Sequence, residues 1–156
     1  MNQKTGIFVG SFNPFTTGHD SIVHRALPLF DRLVIGVVGD NVQKPTLTPA
    51  QQRMEAISRL YACEPRIEVK PYYGLAVDFA RQEGARFIIK GVRSAKDFEY
   101  EREMADINHQ ISGGQVETIL LFAEPQLASV SSSMVRELQH FGVDVTPFLP
   151  SPEAER

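Results

Sequence analysis

The chain has no tryptophan and only one cysteine, Cys63, among its 156 residues. A single cysteine cannot close an internal disulfide, so the fold must rest on its core, and a reducing, cytoplasmic setting is expected. Cys63 lies in an ordinary helix-to-strand link and reads as packing rather than as a nucleophile. No stretch approaches the roughly 18 consecutive apolar residues of a membrane-spanning helix, and the first residues show no signal-peptide pattern. Net charge is −3, so no overall basic field draws the chain to nucleic acid. Repeats and low-complexity tracts are missing as well. The sequence contains no G-x-G-x-x-G, no Walker lysine, no G-x-S-x-G elbow and no H-E-x-x-H, and no cysteine or carboxylate stands at ligand spacing to His19. No metal ligand is therefore predicted.

What is present is an alternation of apolar strands and amphipathic helices. The length suits one domain over residues 1–156, with a tail after about residue 150 expected to be flexible. Ile7–Val9 reads as the first strand, and Ser21–Phe30 lies in the first helix, whose first turn holds His19. Leu33–Val38 is apolar nearly throughout, as in a parallel strand covered on both faces. Thr48-Pro49-Ala50-Gln51 predicts a second helix with Thr48 as N-cap, Pro49 in the first position and Gln51 completing a capping box. Arg66–Lys70 is the third strand, and Leu75–Glu83 a helix ended by Gly84. Phe87–Ile89 is the fourth strand, followed by Lys90-Gly91-Val92-Arg93. A charged helix over Asp97–His109 is broken by Gly113-Gly114. Val116–Phe122 is the fifth strand. Ser131-Ser132-Ser133 opens a last helix, Met134–Gln139, with Val130 and Val135 spaced as a hydrophobic staple. The pattern predicts an α/β, Rossmann-like doubly wound sheet of five parallel strands with helices on both faces.

In such sheets ligands bind at the carboxyl ends of the strands, and the unusual polar residues fall there. Gly10-Ser11-Phe12-Asn13-Pro14 and Thr17-Gly18-His19 follow the first strand, and Lys44 the second. Lys90 to Arg93 follow the fourth and the three serines the fifth. Free N–H groups at a strand–turn–helix junction, with Gly10 and Ser11 offering little bulk, suit a phosphate. Each cluster has a plainer account. K-G-x-R and Lys44 could be solvated surface, the serines only a cap, Arg136 merely exposed, and a histidine at a helix start is more often structural. Their convergence on one cleft carries the functional reading, in which His19 donates to a phosphate whose charge grows in a transition state.

The segment Gly10 to His19 resembles the (S/T)-F-(D/N)-P…(T/N)-G-H signature of the HIGH-type nucleotidyltransferase superfamily. Ile89-Lys90-Gly91-Val92-Arg93 with Asp97-Phe98-Glu99-Tyr100-Glu101 is similar to the R-G-(L/I/V)-R…D-(F/Y)-E-Y-E segment of the bacterial phosphopantetheine adenylyltransferases. Val130 to Arg136 resembles their I-S-S-S-x-(V/I)-(R/K), and Asp144 to Pro150 their closing segment. The likeness runs in order from about Ile7 to Pro150. It implies transfer of AMP from ATP to 4′-phosphopantetheine, giving dephospho-coenzyme A and pyrophosphate, by direct in-line attack with Mg²⁺ held mainly through ATP phosphates.

By the same resemblance His19, Lys44 and Lys90 are the catalytic residues. Ser11, Phe12, His19, Gly91, Val92, Arg93 and Glu101, with Leu127, Ala128, Ser129, Val130, Ser131, Ser132 and Ser133, bind ATP. Ser11, Gln43, Lys44, Ala76 and Lys90 bind phosphopantetheine, and Met104, Ile107 and Asn108 extend the arm's site. Bottom-up, those last three read equally as core or subunit contact. Asn13 stands where the family often has Asp, and Lys90 where it usually has Arg. Gln43-Lys44 replaces a common Lys-Lys, so an ungapped alignment puts Gln43 at the catalytic lysine, and a small loop shift lets Lys44 serve. A homohexamer and feedback by coenzyme A are further implications. Two other readings stand beside this one: a nucleotidyltransferase for another phosphate acceptor such as nicotinate mononucleotide, and a nucleotide- or coenzyme-A-binding regulator without turnover.

Overall fold

The computed structural model describes residues 3–40 and 48–152. Gln43 and Lys44 lie outside them. Five parallel strands form one sheet: β1 (Thr5–Gly10), β2 (Arg32–Val38), β3 (Ile67–Tyr72), β4 (Phe87–Val92) and β5 (Glu117–Phe122), in the order β3-β2-β1-β4-β5. The helices are α1 (Thr17–Ala26), α2 (Ala50–Leu60), α3 (Ala76–Gln82), α4 (Ala95–Ile111) and α5 (Ser132–His140). Each strand is joined to the next through a helix, as parallel pairing requires.

The alternation of side chains across β1 and β2 divides the core. Phe8, Leu33, Ile35 and Val37 point to one face, where they meet Ile22, Val23 and Ala26 of α1 and Ile57 and Leu60 of α2. Ile7, Val9 and Val34 point to the other, against Val77, Phe79 and Ala80 of α3. Side chains such as Ile7, Leu33 and Ile35 are wholly buried, each contributing on the order of 1.5–3 kcal/mol relative to exposure. Central strands covered on both faces are why β1 and β2 read as unbroken apolar runs. Edge strand β3 is only partly buried and accommodates Pro71, which an edge tolerates.

The elements expected from sequence all exist, with shifted ends. α1 begins at Thr17, capped by Thr16, so that His19 falls in its first turn as expected, and it ends at Ala26, short of Phe30, where Leu27–Leu29 tightens into a 3₁₀ turn containing Pro28. α4 is longer than expected and is capped by Ser94, whose side chain accepts from the Asp97 N–H. The expected cap of α2 is wrong. Pro49 is the residue before the helix, and the carboxylate of Asp40, ten residues upstream, accepts from the Ala50 N–H at 2.8 Å. Sequence inspection favours local caps, and this one is supplied from the end of a neighbouring strand. Gln51 instead donates to Glu55 at 3.0 Å. Just ahead of the tail, Leu149 and Pro150 line a cavity beside α2.

Candidate active site

β4 departs most usefully from the sequence-based boundaries. Lys90, Gly91 and Val92 are not a loop after the strand but its last three residues, paired with Leu120, Leu121 and Phe122 of β5. The ladder between β1 and β4 stops at Phe8 and Ile89. Beyond that pair β1 stays with β2 and β4 with β5, and the sheet parts. This is the topological switch point, since the chain winds away from β1 in both directions across the sheet. The opening is a cavity of about 350 Å³.

Every polar cluster found on described residues reaches this cavity. Ser11 and Phe12 line it from the turn after β1, His19 from the first turn of α1, and Lys90, Gly91, Val92 and Arg93 from β4. Leu127 and Val130 line it from the segment before α5, Ser131, Ser132 and Ser133 from the start of that helix, and Glu101 from α4. Ala128 and Ser129, also expected there, are not among the lining residues. A second cavity of about 240 Å³ adjoins the first through Val9, Lys90 and Glu101, which line both. Ala76, Met104 and Asn108 line it together with Tyr72 and Leu75. Ile107 does not: it is exposed on α4.

The turn after β1 is built to face its donors inward. Phe12 takes a left-handed backbone conformation, φ 49°, unfavourable for a bulky residue unless tertiary contacts hold it. Its ring is buried between Phe8 and Phe15. A side chain at Gly10 would meet that ring at 3.1 Å, which explains glycine at this position as well as any ligand does. Three carbonyls of the turn are claimed from elsewhere. Ser11 accepts from Arg53 at 2.8 Å, Asn13 from Arg136, and Pro14 from the Ser132 hydroxyl at 2.7 Å. Arg136 is thus a strut between α5 and this turn, not an idle surface cation.

His19 completes the geometry. It is the third residue of α1, and its Nδ1 accepts from the Thr16 N–H at 2.9 Å while Thr16 accepts from the His19 N–H. An imidazole here takes the place of the Glu or Gln of an ordinary capping box. Because Nδ1 accepts a backbone N–H, the neutral ring carries its proton on Nε2, leaving that edge as a donor. Phe8, Phe12 and Phe15 surround the ring, Phe12 edge-on at 5.0 Å between centroids. Burial first, and then the nearby charges of Arg93 and Lys90, together lower its pKa to about 4. The side chain is neutral at pH 7.

The two cations are themselves engaged. Lys90 pairs with Glu101 at 3.3 Å and Arg93 with Asp97 at 3.2 Å. Asp97 also accepts from the Arg93 N–H at 3.1 Å. This residue lines the cavity and was missed, although the D-F-E-Y-E segment had drawn attention to it for another reason. The free N–H groups at the start of α5, capped by Ser131, whose hydroxyl accepts from Met134 at 3.1 Å, add partial positive charge. Among the described residues no three of His, Cys, Asp or Glu form a metal cage.

A doubly wound sheet with such a cavity at its switch point defines an α/β protein that takes its ligand at the carboxyl ends of its strands. A family model described as cytidylyltransferase-like matches residues 7–138. A phosphopantetheine adenylyltransferase of Phocaeicola vulgatus is 52% identical over 95% of this chain and 96% of its own. That of Bacteroides fragilis is 50% identical over 95% and 97%, and that of Leuconostoc citreum 43% over 95% and 92%. The chain belongs to the cytidylyltransferase-like family and, within it, to the phosphopantetheine adenylyltransferases. A bifunctional NMN adenylyltransferase/ADP ribose pyrophosphatase from Francisella tularensis superposes with a TM-score of 0.70 over 99% of this chain and 47% of that one, at 14% identity. That likeness concerns the fold alone.

Proposed function

We infer that the protein transfers AMP from ATP to 4′-phosphopantetheine, releasing pyrophosphate and dephospho-coenzyme A in the synthesis of coenzyme A. The observation that carries this reading is the pair of adjoining cavities that share Val9, Lys90 and Glu101. One is rimmed by donors and cations and suits a triphosphate. The other is a smaller mixed pocket past Ala76 that suits an extended amide-bearing arm. A phosphate at the junction stands beside Lys90 and faces the ATP cavity.

An oxygen of the acceptor phosphate attacks the α-phosphorus of ATP in line. As that P–O bond forms, the bond from the α-phosphorus to the bridging oxygen breaks, and pyrophosphate leaves. The substrate supplies the nucleophile, so the protein's contribution is position and charge. The Ser11 turn and the start of α5 hold the phosphates, Lys90 the attacking group, and the Nε2–H of His19 the crowded α-phosphoryl oxygens. Lys44 joins them by resemblance. The donor set fits Mg²⁺ carried in on phosphate oxygens and water rather than held by a carboxylate cage. When bound, the ion offsets the negative charge of the polyphosphate. ATP as substrate supports a cytoplasmic setting.

The exposed apolar side chains of α4, among them Phe98, Ile107 and Ile111, support self-association, by resemblance as a hexamer. Coenzyme A, which shares the product's skeleton, would occupy the same two cavities as a feedback ligand. The reading is tested by incubating purified protein with ATP, Mg²⁺ and phosphopantetheine and measuring pyrophosphate. No release with this acceptor, but release with nicotinate mononucleotide, would reassign the substrate. Light scattering on the same preparation reads the subunit number.

A further inference from the structure

Arg53 of α2 is a charged residue in an unexpected place: its side chain is 2% exposed. Its Nε donates to the carbonyl of Thr48 at 2.6 Å, and its Nη1 to the carbonyls of Ser11 and Val38, each at 2.8 Å. Nη2 has no hydrogen-bond acceptor among the described residues and lies 3.8 Å from Asp40 Oδ1. The three carbonyls belong to three segments: the turn after β1, the end of β2 and the approach to α2. Two of those segments bound the stretch of chain that contains Lys44. The third is the turn that rims the cavity.

Taking a guanidinium out of water is costly, and an apolar side chain of similar volume would serve a core at least as well. What an apolar side chain cannot do is fix three backbone carbonyls at once. A planar fork of N–H donors can, and lysine, a single point of charge, cannot reproduce it. We propose that Arg53 is a positioning residue of the transfer reaction. Its guanidinium locks the Ser11 turn to the end of β2 and the start of α2, so that the N–H groups of the turn face the phosphates. Arg53 touches no reacting atom. It acts through Ser11, and an error of an ångström in such a turn is costly to the rate.

The proposal rests on the adenylyltransferase reading, and its test separates the two. Arg53→Lys is compared with Arg32→Lys as control. Arg32 is also hydrogen-bonded to a carbonyl and to two carboxylates, those of Glu68 and Glu83, but at the start of β2, the opposite end of the sheet. Both variants are assayed well below their melting temperatures. The expected result is a fall in kcat of about tenfold or more for Arg53→Lys and less than about twofold for Arg32→Lys. The amide resonances of Ser11 and Phe12 are expected to move only in the former. Arg53→Gln, which removes the buried charge yet keeps two N–H donors, is measured in the same way in case the lysine variant does not fold. Wild-type kcat in the folded Arg53 variants, or equal losses in both arginine positions, would overturn the proposal. If wild-type protein itself releases no pyrophosphate, the functional reading fails. Arg53 is then judged by whether its variants lose the ATP-induced shift of the Phe12 amide.

Discussion

His19 combines two duties that oppose each other chemically. Its Nδ1 closes the cap of α1, and that same bond commits the proton to Nε2, on the cavity side. Replacing it by alanine removes both, and kcat is expected to fall at least about a hundredfold, the scale of losing one donor aimed at a transition state. Steady-state pyrophosphate release measures this. The low folded-state pKa has its own consequence. The unfolded chain takes up this proton near 6.5 and the folded one only near 4. The contribution to stability is therefore whole above pH 6.5 and lost as pH falls toward 4, a loss on the order of 3 kcal/mol. His19→Gln keeps an acceptor for the cap but does not titrate, so denaturation curves between pH 6.5 and 4 should show a shallower decline than wild type. Lys90 stands at the junction of the cavities. Lys90→Ala should raise KM for phosphopantetheine more than KM for ATP, and the reverse order would exchange the substrate assignments of the two cavities.

At the scale of elements, the start of α5 serves both stability and binding. Ser131 caps it, Ser132 and Arg136 bolt it to the turn at residues 13–14, and its free N–H groups face the cavity. Ser131→Ala should cost about 1 kcal/mol, a fall in Tm of about 3 °C by calorimetry. It should also raise KM for ATP, because the helix end is held less firmly. This cap was legible in the sequence, since a serine run followed by a helical pattern is a local signal. The cap of α2 was not, because Asp40 reaches Ala50 only after β2 and α2 are side by side. For the same reason β4 looked shorter than it is. Lys90 and Gly91 are poor strand formers in isolation, and only the ladder to β5 keeps them extended.

At the scale of the molecule, the cavity exists because β1 and β4 part company while each keeps its outer partner. The packed core beneath holds that split open, and stability and site can therefore be damaged separately. Ile35 is wholly buried on the α1–α2 face. Ile35→Ala should lower unfolding free energy by about 2–5 kcal/mol while leaving kcat per folded molecule near wild type. Urea unfolding with parallel assays tests both halves.

The order of strands and helices, the doubly wound class and the clusters at the strand ends were all determined by the sequence alone. Each depends on short-range periodicity and turn chemistry, which a linear reading contains. Tertiary structure decided the rest. It showed Lys90 and Gly91 to be strand residues, took Ala128, Ser129 and Ile107 off the cavity walls, and paired Arg93 with Asp97. It also turned Arg53 and Arg136 inward onto carbonyls. These facts concern which groups meet across many intervening residues, and such meetings are settled by packing and by the demand that buried polar groups find partners.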